Sequence, residues 1–144
     1  KSLNAVLEKK EKEEEARLKA VQEFLSQMNY DEAILNDQGV KIFEKWIGDG
    51  EIIKSDRHVR IHYIGYFENG DVFGSSYSKN KPLEFTMDVD HMITGLTEGI
   101  RGRSEGSELV LFIPHYLAYG EEGRLPKIPP RTNLIFDITI LEPN

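Results

Sequence analysis

Alternation of apolar and polar positions is clearest in "RHVRIHYIGYF" (57–67), where Val59, Ile61 and Tyr63 share one face and Arg60, His62 and Ile64 the other. That period of two is the mark of a strand with one side buried. "VKIFEKWI" (40–47), "PLEFTM" (82–87), "SELVLFI" (107–113) and "NLIFDITIL" (133–141) supply four more strands. One stretch breaks the series. In "HMITGLTEGIRG" (91–102), Met92, Leu96 and Ile100 recur at i, i+4 and i+8 with Ile93 alongside, so the spacing predicts a single short helix ended by Gly99 and Gly102. Between strands, "FENGDVFGSSYS" (67–78) carries Asn69-Gly70, the signal of a two-residue hairpin turn whose central residues tolerate φ > 0. Val72 and Phe73 then start a strand that Gly74, Ser75 and Ser76 interrupt. Residues 40–144 therefore read as an antiparallel sheet covered by one helix, an α+β arrangement, without the βα alternation of a parallel sheet.

The front of the chain follows a different rule. "EKKEKEEEARLK" (8–19) is charged, rich in helix formers and free of Gly and Pro, which predicts a helix. Leu18, Val21, Leu25 and Met28 then give an apolar seam spaced three, four and three. Two uses stay open for it: docking on the protein's own body, or pairing with a second copy. The seam is under two heptads, short of a coiled coil, which favours docking. The expected division is an N-terminal helical extension over 1–36 and a folded domain over 37–144.

Composition narrows the chemistry. The 144 residues suit one domain with a real core plus an appendage. A net charge of −7 makes a nucleic-acid backbone an unfavourable partner, and no run approaches the ~18 apolar residues of a spanning helix. Cysteine is absent, so disulfides, thiol catalysis and cysteine metal sites are excluded. His58 and His62 are four apart, but in a strand that separates them by some 13 Å; no metal site is expected. Ser75 and Ser76 lack a G-x-S-x-G context and read as turn serines. No cofactor-binding loop is marked out, since Gly95, Gly99 and Gly102 do not make G-x-G-x-x-G. Aromatic residues stand out instead, near strand ends and in "IPHYLAYGEEGRLPKIPPRT" (113–132). That stretch holds four of the six prolines and no regular period. A loop of that length in a compact domain is usually functional, and prolines stiffen it into a rim over an apolar site.

"VRIHYIGYFENGDVFGSSYSKNKPLEF", "MITGLTEGI", "FIPHYLAYGEEGRLPKIPP" and "TNLIFDITIL" resemble successive blocks of the FKBP-type peptidyl-prolyl isomerases, in order, over about residues 40–143. The resemblance implies a curved antiparallel β-sheet wrapped around one short α-helix, here preceded by the N-terminal helix. It implies a proline ring bound in an aromatic pocket without metal, cofactor or covalent intermediate. Tyr63, Phe73, Tyr119 and Phe136 match the catalytic positions, with Tyr119 the hydroxyl that donates to a substrate carbonyl. Phe85, Met92, Ile93, Leu96 and Ile128 match the substrate-binding wall, with Leu83 at its edge, and Arg124 falls in the variable loop tip.

Two departures qualify the match. Gly74 stands where most active members carry Asp, which engages the Tyr63-type hydroxyl, and Leu96 stands where Trp usually floors the pocket. They leave two readings: an isomerase assisting protein folding, favoured because the wall and Tyr119 are kept, or a weakly catalytic chaperone or peptide-binding module. The implied partners are proline-containing polypeptides and, weakened by both departures, macrolide-type ligands. An N-terminal extension is similar to that of bacterial envelope members, so a homodimer through it and a periplasmic or lipid-anchored location are expected, with a cytoplasmic one kept open. The start at Lys1 is read as a removed signal sequence.

Overall fold

The computed structural model describes residues 34–143 together with Ala5, Glu8 and Lys12, the last three helical. The apolar seam at 18–28 lies outside the described residues. Residues 34–143 hold seven strands, β1 (Ile34–Leu35), β2 (Lys41–Trp46), β3 (His58–Phe67), β4 (Val72–Ser75), β5 (Leu83–Thr86), β6 (Glu108–Ile113) and β7 (Leu134–Ile140), and one α-helix, α1 (Thr94–Ile100). All pairings are antiparallel, in the order β1-β2-β6-β7-β3-β4, and β5 joins the first half of β3. Ten-residue β3 thus serves β5 at His58–Ile61 and β4 at Ile64–Tyr66, while β7 pairs along its other side from Ile61 to Phe67. The result is the curved sheet around a single helix that the sequence implied.

Period-two alternation decides which side faces the helix. Val59 and Ile61 of β3, Leu109, Leu111 and Ile113 of β6, and Leu134, Phe136, Ile138 and Ile140 of β7 form one cluster with Leu96 and Ile100 of α1. Each such side chain, fully buried, contributes about 1.5–3 kcal/mol. Helix and sheet meet closely because α1 presents glycines. A Cβ on Gly95 would stand 2.2 Å from Ile113 Cγ2, and one on Gly99 would stand 2.5 Å from Leu111 Cδ1. Each glycine weakens the helix by about 1 kcal/mol, and the close approach it permits lets β6 side chains pack onto the helix backbone. On the other side of the sheet, Val110 and Ile135 are buried beneath Phe43, Tyr66 and Phe112.

Three elements differ from the sequence reading. The sheet begins at Ile34, ahead of the boundary at 37, because the Asn36 side chain accepts backbone N–H bonds from Gln38, Gly39 and Val40 at 3.1, 3.0 and 2.9 Å and folds β1 back onto β2. The hairpin at Asn69-Gly70 is a three-residue loop rather than a two-residue one. Phe67 N–H donates to Asp71 at 2.8 Å, and only Gly70 has positive φ, at 94°, whereas the two-residue type needs both central residues there. The helix starts at Thr94, so Met92 and Ile93 lie in the segment that leads into it.

Candidate functional site

The site is assembled where β3, β4 and β7 turn their aromatic residues toward α1 and the long loop. Tyr63 faces inward on β3 beside Phe136 of β7, ring centroids 5.8 Å apart. Phe73 reaches the same place through an irregularity: pairing slips between Gly65/Gly74 and Tyr66/Val72, leaving Phe73 out of register. Its ring then lies over Gly65, where a Cβ would stand 2.4 Å from Phe73 Cζ. It meets Phe136 edge-on at 5.5 Å and Phe67 at 5.2 Å. Aromatic pairs in such geometry add about 0.5–1.5 kcal/mol each beyond their burial, so the three-ring wall is set by packing.

Ser76 fixes the tyrosine end of that wall. It is 1% exposed; its Oγ accepts the Tyr63 N–H at 2.8 Å and its own N–H donates to the Tyr63 carbonyl at 3.0 Å. The same Oγ lies 2.8 Å from His62 Nδ1, and the His62 ring stacks on Tyr77 at 4.5 Å. From sequence Ser76 was a turn serine; in the fold it clamps β4 onto β3 at the site, a role that only the strand pairing exposes.

The loop is held rather than loose. His115 N–H donates to Asn133 Oδ1 at 2.9 Å, joining its two ends, and a 3-10 turn over His115–Leu117 delivers Tyr119. Gly123 N–H donates to the Tyr119 carbonyl at 3.0 Å, and Arg124 and Ile128 exchange backbone bonds of 2.8 and 2.9 Å.

Together these elements enclose a cavity of about 190 Å³ lined by Tyr63, Phe73, Leu83, His91, Met92, Ile93, Leu96, Tyr119, Arg124 and Phe136. An engineered apolar cavity of ~150 Å³ admits benzene, so a five-membered ring fits here. Eight of the ten residues expected at the site are brought together in this lining. Phe85 and Ile128 are not: at 2% and 4% exposed they belong to the core beneath it. Phe85 sits opposite Val59, two residues deeper along β5 than the rim residue Leu83, and Ile128 is drawn inward by its bridge to Arg124. Conversely, His91 and Arg124 line the cavity and were not among the expected site residues. His91 immediately precedes the apolar pair Met92-Ile93, the signal that would have found it.

Burial, and after it the neighbouring Tyr119 hydroxyl, push the Tyr63 phenol above the ordinary tyrosine value. It is a neutral hydrogen-bond donor at neutral pH. Among the described residues no hydrogen bond reaches its hydroxyl. A Cβ on Gly74 would lie 3.7 Å from that oxygen, so the position without a carboxylate points at the hydroxyl without a partner.

A larger open cleft of about 900 Å³ lies at the start of β3, bounded by Glu51, Arg57, His58, Arg60, Glu84 and Glu105. Several of its polar side chains are already engaged with one another, Arg57 with Glu51 at 2.7 Å and Glu105 at 2.8 Å, and His58 with Glu84 at 3.0 Å. The aromatic cavity, small and apolar with two phenols at its mouth, is the better ligand site. No cluster of three or more His, Cys, Asp or Glu side chains able to hold a metal occurs among the described residues.

A sequence model described as FKBP-type peptidyl-prolyl cis-trans isomerase matches residues 49–141. The chain is 41% identical over 97 residues to a probable FKBP-type peptidyl-prolyl cis-trans isomerase of Haemophilus influenzae, covering 67% of this chain and 39% of that protein. It is 37% identical over 95 residues to an FK506-binding protein of Neisseria meningitidis, covering 66% of this chain and 87% of that one. Among solved structures it is similar to FkpA from Escherichia coli, with TM-score 0.73 and 32% identity, over 96% of this chain and 63% of that chain. The chain thus spans about two fifths of the length of the Haemophilus relative.

Proposed function

The chain belongs to the FKBP-type peptidyl-prolyl cis-trans isomerase family, and on that premise we propose that it accelerates cis/trans exchange at X–Pro bonds of polypeptides in the aromatic cavity. The observation that supports this best is the meeting of Tyr63, Phe73 and Phe136 with Tyr119 around a volume of proline size.

Exchange has to overcome the ~18–20 kcal/mol barrier that partial double-bond character gives the peptide C–N bond. Moving the amide from water into an apolar site disfavours its charge-separated resonance form and lowers that barrier. The three rings and Leu96 grip the pyrrolidine ring, while the segment before it is left to rotate. Tyr119, on the hydrogen-bonded rim, donates to a flanking substrate carbonyl and holds one side of the bond still. Positioning of this kind needs neither nucleophile nor proton transfer. The non-catalytic alternative rests on Gly74 and Leu96, and the kept wall speaks against it.

Finer expectations are proposed from the resemblance alone: folding assistance to clients, a bacterial envelope location, weakened macrolide binding, and a homodimer through the N-terminal helix. Exchange NMR on an X–Pro peptide with catalytic amounts of protein tests the central reading. Acceleration that falls strongly in Tyr119→Phe is expected; no acceleration by the parent chain would sink the isomerase reading. Sedimentation of the full chain against one truncated before residue 34 tests the dimer, and two monomers would end it.

A further inference from the structure

Among the described residues, five arginines are paired with carboxylates: Arg57 with Glu51 and Glu105, Arg60 with Glu84, Arg101 with Asp88 and Glu98, Arg103 with Glu44, and Arg131 with Glu121. Arg124, the sixth, has none. Its guanidinium lies instead over the Tyr119 ring, 5.7 Å from the centroid, at the wall of the aromatic cavity. In a chain with 25 acidic residues and a net charge of −7, a guanidinium left without a carboxylate at the cavity mouth calls for a reason.

The placement is built into the backbone. Arg124 and Ile128 form an antiparallel bridge, and the preceding Gly123 has φ +69°, with backbone atoms of Ile128 and Pro129 within 2.7 Å of where a Cβ would be. Only glycine fits there, and it aims the next residue along the rim. Contact with the tyrosine face then keeps the cation over the ring. Of the two loop glutamates before it, Glu121 is engaged by Arg131 at 3.7 Å, and Glu122, although only two residues away, forms no ion pair with Arg124.

We propose that Arg124 reads charge next to the proline, so that the site favours prolyl segments carrying glutamate or aspartate beside the proline over segments carrying lysine or arginine. The proposal rests on the prolyl-binding reading of the cavity. An exposed ion pair corresponds to an effect of about 1.5- to 5-fold, repulsion of a lysine adds a similar factor, and salt screens both.

The test is a ranking within each protein variant. Exchange NMR is run on short peptides that differ only at the residue before proline, or only at the one after it, with Glu, Gln or Lys in that place. The parent chain is expected to favour the Glu over the Lys peptide by about 2- to 25-fold at low salt, with the ratio falling at high salt. Arg124→Lys should retain the preference, Arg124→Gln should flatten it, and Arg124→Glu should invert it. Each ratio compares peptides on one variant, so a general loss of activity does not alter it. If no peptide is accelerated, the isomerase reading falls, and the ranking is read from peptide affinities in chemical-shift titrations of the same full-length chain. Equal affinities there, or a Glu preference that survives Arg124→Glu, would overturn the role given to Arg124.

Discussion

Placing a carboxylate at position 74 should do more than restore a familiar residue. A Cβ at Gly74 meets only the Tyr63 ring edge at 3.9 Å and its hydroxyl at 3.7 Å, ordinary van der Waals distances. Gly74 is not among the residues with positive φ, so an L side chain enters without backbone strain. A carboxylate oxygen stands about 2.4 Å beyond its Cβ and can therefore meet the Tyr63 hydroxyl at normal hydrogen-bond distance. A hydrogen bond to a charged acceptor is worth about 1.5–3 kcal/mol, reduced here to about 1–2 because the tyrosine is only half buried. Removing a strand glycine adds about 0.5–1 kcal/mol, and the poor strand propensity of Asp takes back up to about 1.

Gly74→Asp should therefore stabilise the domain by about 0.5–3 kcal/mol, a rise in Tm of roughly 2–9 °C. About 1 kcal/mol carried into the bound substrate raises kcat/KM some fivefold. The new carboxylate, accepting a hydrogen bond, has its folded pKa depressed; its stabilisation is present above the unfolded value of about 3.9 and lost as pH falls below it. The assay is a double-mutant cycle in thermal melts and exchange NMR, with Tyr63→Phe as the second change. The gain should vanish when the hydroxyl is gone; an equal gain in both backgrounds would refute the geometric argument.

Three further changes probe the same frame. Gly65→Ala drives a methyl into the Phe73 ring; overpacking of about 1–3 kcal/mol exceeds the glycine-to-alanine gain, so both Tm and prolyl exchange should fall, and unchanged exchange would show that Phe73 does not shape the site. Leu96→Trp faces a helix held against β6 through Gly95 and Gly99, so the larger ring must grow into the cavity. It should cost about 1–3 kcal/mol unless the rim yields, and a calorimetric gain in stability would contradict the close-packed reading. Asp88, held down to about 2 by hydrogen bonds first from Arg101 and then from Ser55, stabilises above its unfolded value of about 3.9 and loses that contribution as pH falls toward 2. Asp88→Asn should thus lower Tm at neutral pH with the gap closing below about pH 4, and a gap of constant size through the acid range would rule out the carboxylate charge as its source.

Much of this architecture was legible because it obeys one-dimensional rules. Alternation on β3 placed Tyr63 on the buried face, and β6 and β7 showed as apolar runs because both their sides are covered. What stayed hidden depends on partners distant in sequence. Leu83 and Phe85 share a face of β5, yet one meets the cavity and the other the core, according to their depth along β3. Phe73 reaches the site only through the slipped register of β4, which no local periodicity encodes. The Ser76 clamp and the Asn36 turn are side-chain bonds to backbone across a fold already formed. Arg124 passed as loop-tip charge, because its significance lies in the carboxylate it does not have.

The two bare contacts of α1 on β6 carry a last consequence. A helix whose backbone already rests on Ile113 and Leu111 cannot retreat to make room, and the opposing wall of rings is seated on Gly65. Of the boundaries around the cavity, the exposed loop tip over 121–127 can give way without breaking core packing, while Ile128 anchors the loop's return in the core. The upper size of an accepted ligand is therefore governed by the length and bridge spacing of the 114–133 segment, and a domain re-engineered for bulkier guests would be altered there, with the sheet and helix left as they are.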